Sequence, residues 1–103
     1  MGDTEIRASG PVLKILKLML ENPAKKLSGA DISGGAKIGS GTLYPALQRM
    51  ERAAWLTSAW EDIDPSAAGR PRRRYYRLSA LGQKKALELL GEFQFEGALA
   101  WSL

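Results

Sequence analysis

Five arginines stand within eight residues in the stretch Arg70-Pro71-Arg72-Arg73-Arg74-Tyr75-Tyr76-Arg77, with no acid among them. A guanidinium stays charged at any ordinary pH and offers a planar fork of donors, so it pairs with phosphate in bidentate fashion. It also enters a narrow minor groove, where the potential of DNA is most negative. A second set, Ser40, Thr42, Tyr44, Gln48 and Arg49, lies near the start of an amphipathic segment. Gln bonds adenine N6 and N7, Thr meets a thymine methyl or a phosphate, and a helix N-terminus attracts phosphate. Both sets also have a plainer reading. The arginines can pair with Glu61, Asp62 and Asp64 across a hairpin, Gln48 can be merely solvated, and Tyr44 can lie half-buried on a neighbouring helix. Charge alone leaves both readings open.

Composition narrows the choice. The chain has 103 residues, a net charge of +4 and a hydrophobic fraction of 45%. That is one small globular domain with one core. There is no Cys and no His. Disulfides, thiol catalysis, Cys/His zinc sites and His acid–base chemistry are therefore excluded. We find no nucleophile–base pair and no metal-ligand spacing, so the expectation is a protein that is not an enzyme and carries no cofactor or metal. The longest apolar run, Val12 to Leu20, is broken by Lys14 and Lys17 and falls short of the ~20 residues of a membrane helix. Residues 1–10 lack the apolar core of a signal peptide. A cytoplasmic protein, not a membrane protein, is expected.

The periodicity supplies the elements that must position these residues. Residues 1–10 read as a flexible N-terminus. Val12, Ile15, Leu16 and Met19 form one stripe of a first helix, with Ser9 or Gly10 as cap, Pro11 at its start and Asn22-Pro23 at its end. Ser28-Gly29-Ala30-Asp31 resembles a capping box that opens a short second helix, with Gly34-Gly35 ending it or forming part of a turn. A third helix follows, capped by Thr42, with Pro45 in its first turn and Leu43, Ala46, Leu47, Met50 and Ala54 as its apolar stripe. A short helix, a glycine-bearing turn and a helix with a polar outer face make a helix-turn-helix.

The period then changes to two. Leu56, Ser58 and Trp60 alternate with Thr57 and Ala59, and Arg72 to Leu78 reads as the return strand. Residues 61–69 hold Asp62, Asp64, Pro65, Ser66 and Gly69, a turn-rich hairpin tip. Ser79 caps a last helix with Leu81, Leu87, Leu90 and Phe93 on one stripe, which can continue through Trp101. Gly82 and Gly91 weaken it by about 1 kcal/mol each relative to Ala. The fold class expected is mainly α with a two-stranded β-hairpin, a winged helix-turn-helix in the order α-α-α-β-β-α. Residues 11–78 form the DNA-binding domain, and residues 79–103 form a C-terminal dimerisation helix and tail. The apolar tail from Phe93 to Leu103 can form a dimer interface or pack back on the same chain. Leu87, Leu90, Phe93 and Trp101 are the candidate dimer contacts.

Two motifs in register resemble the PadR family of bacterial transcriptional regulators. Gly41-Thr42-Leu43-Tyr44-Pro45-Ala46-Leu47-Gln48-Arg49-Met50-Glu51 is similar to the family's G-T-L-Y-P-x-L-x-R-L-E helix. Gly69-Arg70-Pro71-Arg72-Arg73-Arg74-Tyr75-Tyr76-Arg77-Leu78-Ser79 is similar to its G-x-x-R-[KR]-Y-Y-x-L-T wing strand, and Leu81-Gly82 continues that likeness. The resemblance spans roughly residues 11–93. It implies a winged helix-turn-helix, a homodimer and a two-fold double-stranded DNA operator whose occupation silences a promoter. By this analogy Ser40, Thr42, Tyr44 and Gln48 are the reading positions and the wing arginines Arg70, Arg72, Arg73 and Arg74 hold phosphates, with Arg49 a further DNA-binding candidate. Some small members of the family accept flat aromatic effectors between C-terminal helices, at a position that here is Phe93 rather than Trp. The stretch Asp31 to Gly35 is richer in glycine than is usual in the family. The leading expectation is a dimeric, sequence-specific DNA-binding repressor. The alternatives are a small-ligand sensor and a winged-helix interaction module without selective DNA binding.

Overall fold

The structure is a computed structural model that describes the backbone of residues 9–102 and the side chains of residues 9–91. In chain order the elements are α1 (Gly10–Leu20), β1 (Leu27–Ser28), α2 (Gly29–Ala36), α3 (Ser40–Arg52), β2 (Leu56–Trp60), α4 (Pro65–Ala68), β3 (Arg74–Leu78) and α5 (Ala80–Ser102). The expected order of helices and hairpin is present, with two additions. The sheet has three strands rather than two, in the order β1-β3-β2, because Leu27 and Ser28 pair antiparallel with Tyr76 and Tyr75. The alternation signal needs several residues, and a two-residue strand is too short to give one. The hairpin tip also contains the single turn α4, capped by Asp64, whose carboxylate accepts from the Ser66 N–H at 3.0 Å.

The core is one cluster beneath the helices and the sheet. Val12, Ile15, Leu16 and Met19 of α1 meet Ile32 of α2, Leu43, Ala46, Leu47 and Met50 of α3, and Trp55, Leu56, Tyr76 and Leu78 of the hairpin. The α1 stripe is the one expected, and Ser9 caps it. The α2 capping box is also present. The Ser28 N–H donates to Asp31 Oδ2 at 3.0 Å, and the Asp31 N–H donates to Ser28 Oγ at 3.1 Å. The Ser28 backbone N–H, and after it the Ser28 hydroxyl, hold the Asp31 carboxyl below its ordinary range.

Four local expectations are corrected. Gly34 and Gly35 do not end α2; it runs on to Ala36, and the left-handed cap is Lys37 at φ 57°. Gly35 lies against the Leu18 side chain, so there it serves helix packing rather than a turn. Thr42 is not the cap of α3. Gly39 is, in extended conformation, which puts Thr42 in the first turn and Pro45 inside the helix. Pro45 leaves the Gly41 carbonyl without its ladder donor, and Gly41 is exposed to water that can satisfy it. Ala53 rather than Ala54 completes the buried stripe, because Ala54 turns left-handed at φ 64° and lies exposed.

The face of α5 also differs from the expected stripe. Leu81 and Leu87 are exposed, and Gly82 and Ala86 point to the core instead. Gly82 is required by close approach. A Cβ there would collide with the Trp55 carbonyl oxygen, so the residue that costs helix propensity is the one that lets α5 dock. Ser79 fixes that approach. Its hydroxyl donates to the Ala54 carbonyl at 2.5 Å and accepts from the Gly82 N–H at 2.9 Å.

Candidate nucleic-acid interface

The residues singled out on α3 stand on its solvent side. Ser40, Thr42, Tyr44, Gln48 and Arg49 are all exposed, while Leu43, Ala46, Leu47 and Met50 anchor the opposite face. Tyr44 projects from the helix but also leans on α2. A Cβ on Gly29 would come within 2.5 Å of its hydroxyl oxygen. The absence of a side chain at Gly29 is thus what seats the ring.

Facing this helix side is the wing. Between them lies a hollow of about 470 Å³ lined by Ser28 of β1, Gly29 and Ala30 of α2, Tyr44 of α3, and Trp60, Arg72, Arg73, Arg74 and Tyr76 of the hairpin. On the other side of Tyr44 a second hollow of about 420 Å³ takes in Gln48, Glu51 and Arg74. Tyr44, Arg74 and Tyr76 line both hollows, which adjoin as a groove between α3 and the wing. Its rim is basic, and it brings together part of both sets that the sequence marked out.

The four wing arginines divide by partner. Arg70 forms a bidentate pair with Glu61, at 2.6 and 2.8 Å. That guanidinium, ahead of the Arg73 backbone N–H, pulls the Glu61 carboxyl down to about 2. Arg74 also faces inward. Its Nε donates to Ser58 Oγ at 3.0 Å, and one terminal nitrogen lies 3.4 Å from Glu51 on α3. Ser58 donates its own hydroxyl to the same Glu51 carboxylate. Arg72 spends only its Nε, on the Ile63 carbonyl at 2.9 Å, which leaves its terminal nitrogens for other partners. Arg73 is exposed, and among the described residues its guanidinium meets no carboxylate. The pairing with Glu61 anticipated for the run as a whole is realised at Arg70.

Composition and spacing did not single out Glu51, Ser58, Trp60 or the first residues of α2. Glu51 had a signal, since it lies seven residues after Tyr44 on the same helix face. Trp60 had one too, as the last residue of β2, where alternation continues past the end of the core. Of the expected dimer contacts, Leu87 is 62% exposed and Leu90 is half-buried. The side chains of Phe93 and Trp101 lie outside the described residues.

Residues 24–88 match the sequence profile of the transcriptional regulator PadR-like family. The chain belongs to that family. No functionally curated protein matches the sequence. Among solved PadR-like structures, one is similar at a TM-score of 0.73 and 23% identity over 88% of this chain and 94% of the other. It is a PadR family transcription regulator of Clostridium difficile R20291. The Streptococcus mutans UA159 protein smu.1704 is similar at a TM-score of 0.67 and 30% identity, over 89% and 87% of the two chains. Bacillus subtilis PadR, solved in complex with operator DNA, gives a TM-score of 0.61 and 20% identity, over 89% of this chain and 60% of that one. The three-stranded winged helix of this PadR-like chain is thus shared with transcription regulators. Among the described residues, no helix is long and apolar enough to cross a membrane.

Proposed function

We propose that this PadR-like regulator is a cytoplasmic, sequence-specific repressor that binds a two-fold DNA operator as a homodimer. The observation that carries the reading is the groove between α3 and the wing, with a polar, exposed helix face on one side and arginine side chains on the other. In it α3 enters the major groove. Thr42, Tyr44 and Gln48 meet base edges, and Ser40 and Arg49 flank them on the backbone. Arg72 and Arg73 hold phosphates beside the groove. Arg70 and Arg74 belong to the same basic surface and keep the wing in shape through Glu61 and Glu51. The complex of Bacillus subtilis PadR with operator DNA supports this assignment, since its fold is similar. The exposed Leu87 and half-buried Leu90 support α5 as the element that pairs two protomers. A bound dimer then represses sterically, by denying the promoter to polymerase.

The test is sedimentation equilibrium of the full chain, alone and with a randomised duplex pool, followed by sequencing of the bound fraction. A dimer that enriches a two-fold site, with half-site centres about 34 Å apart, is the expected result. A protein that binds every duplex alike at physiological salt would overturn the repressor reading.

A further inference from the structure

We infer that Trp60 is a non-ionic DNA contact of the wing, packing its indole against deoxyribose, and that Arg74 serves to position Trp60 rather than to bind phosphate. This rests on the DNA-binding reading above. Trp60 is 60% exposed, although Leu56, four residues earlier on the same strand face, is 2% exposed. The strand outruns the core, so this large apolar side chain is left in water. It lies directly opposite Arg74 in the sheet register, and the Arg74 guanidinium sits over the indole, 5.4 Å from its centroid. Ser58 and Glu51 hold Arg74 in that place. Its charge is thus matched by a carboxylate, and its Nε and one terminal nitrogen are engaged by Ser58 and Glu51.

The indole forms a ridge between two hollows. One is the groove shared with Tyr44, Arg72, Arg73 and the start of α2. The other is a shallow hollow with Pro65, Pro71 and Arg72. Phosphate binding uses donors, and Arg72 and Arg73 supply them. It has no use for an exposed indole between those donors. The apolar C–H face of the sugar next to a bound phosphate does. Burying the indole there removes apolar surface from water and releases no counterion.

Salt dependence separates the two roles. Affinity of the full chain would be measured against salt for the duplex enriched from the randomised pool and for sheared genomic duplex. Trp60→Ala is expected to weaken binding about tenfold at every salt concentration, with the slope of log K against log salt unchanged. Trp60→Phe is expected to keep most of the affinity, and Arg74→Gln to share the unchanged slope. Arg73→Gln is expected to lower the slope by about 0.9 for each phosphate contact removed. With 5-fluorotryptophan in the chain, the Trp60 fluorine resonance moves on adding duplex, and the buried Trp55 resonance does not. If Trp60→Ala binds duplex as tightly as the parent with the same thermal midpoint, the inference alone falls. It also falls if Arg74→Gln flattens the salt slope as much as Arg73→Gln. If the parent binds neither duplex at low salt, the DNA-binding reading falls together with it.

Discussion

The two sides of the groove are held by different physics. The α3 side rests on apolar packing, with Leu43, Ala46, Leu47 and Met50 all at 1% exposure or less beneath its polar face. The wing shares that core through Leu56, Tyr76 and Leu78, but its outer part rests on polar ties near the surface, namely Arg70 to Glu61, Arg74 to Ser58 and Glu51, and Arg72 to the Ile63 carbonyl. Close packing tolerates little displacement, whereas partly exposed ion pairs are worth little and respond to salt and pH. The exposed face of α3 is therefore held more firmly than the tip of the wing. Placing sequence discrimination on α3 and general affinity on the wing matches that division.

The sharpest way to break the contrast is to attack the helix support. Leu47→Ala is expected to cost about 2–5 kcal/mol of folding stability and to abolish DNA binding through unfolding, read by thermal denaturation. Gln48→Ala leaves the fold intact, because the side chain is exposed. It is expected to lose about 1–3 kcal/mol of discrimination at particular base pairs and to keep its non-specific affinity. Unchanged operator preference in that variant would remove Gln48 from the reading set. Arg72→Glu with Arg73→Glu is expected to do the opposite, weakening all duplexes alike in a salt-dependent manner.

The smallest expected effect is confined to the wing and follows pH. The Arg70 guanidinium, helped by the Arg73 N–H, lowers the Glu61 carboxyl from 4.5 to about 2 in the folded chain. A carboxyl depressed by folding stabilises the native state fully above its unfolded pKa, and that contribution is lost as pH falls toward the folded value. The protection of the Arg73 amide, whose N–H donates to Glu61, is thus expected to fall between pH 4.5 and about 2, measured against its intrinsic exchange rate at each pH, while the protection of α3 amides holds. Glu61→Gln is expected to abolish that local pH dependence. Loss of protection in both regions together would show that the wing and the helix do not open independently.

Much of this division is legible in the residues themselves. Period-3.6 stripes mark the buried faces of α1 and α3, and the change to period two marks the hairpin. The Ser28–Asp31 box and the Ser79 cap are local hydrogen-bonding patterns, so their residues alone announce them. The features that escape such a reading depend on distant partners. Gly82 reads as a helix weakness because propensity is local, and the Trp55 carbonyl that demands it lies 27 residues away in sequence. Strand β1 is invisible because two residues have no period, and its existence depends on the open edge of β3.

The arginine run shows the same limit at the site. Sequence determined that a dense positive charge lies on the hairpin beside a helix with a polar face, although the strand begins at Arg74 rather than at the expected Arg72. Only the tertiary structure decided which arginines face outward. Glu61 lies within reach of Arg70 across the hairpin, and Glu51 comes to Arg74 from another element altogether. Charge is a property of the residue, but whether it is spent inside the fold or offered to a partner depends on which carboxylates the chain brings within about 4 Å.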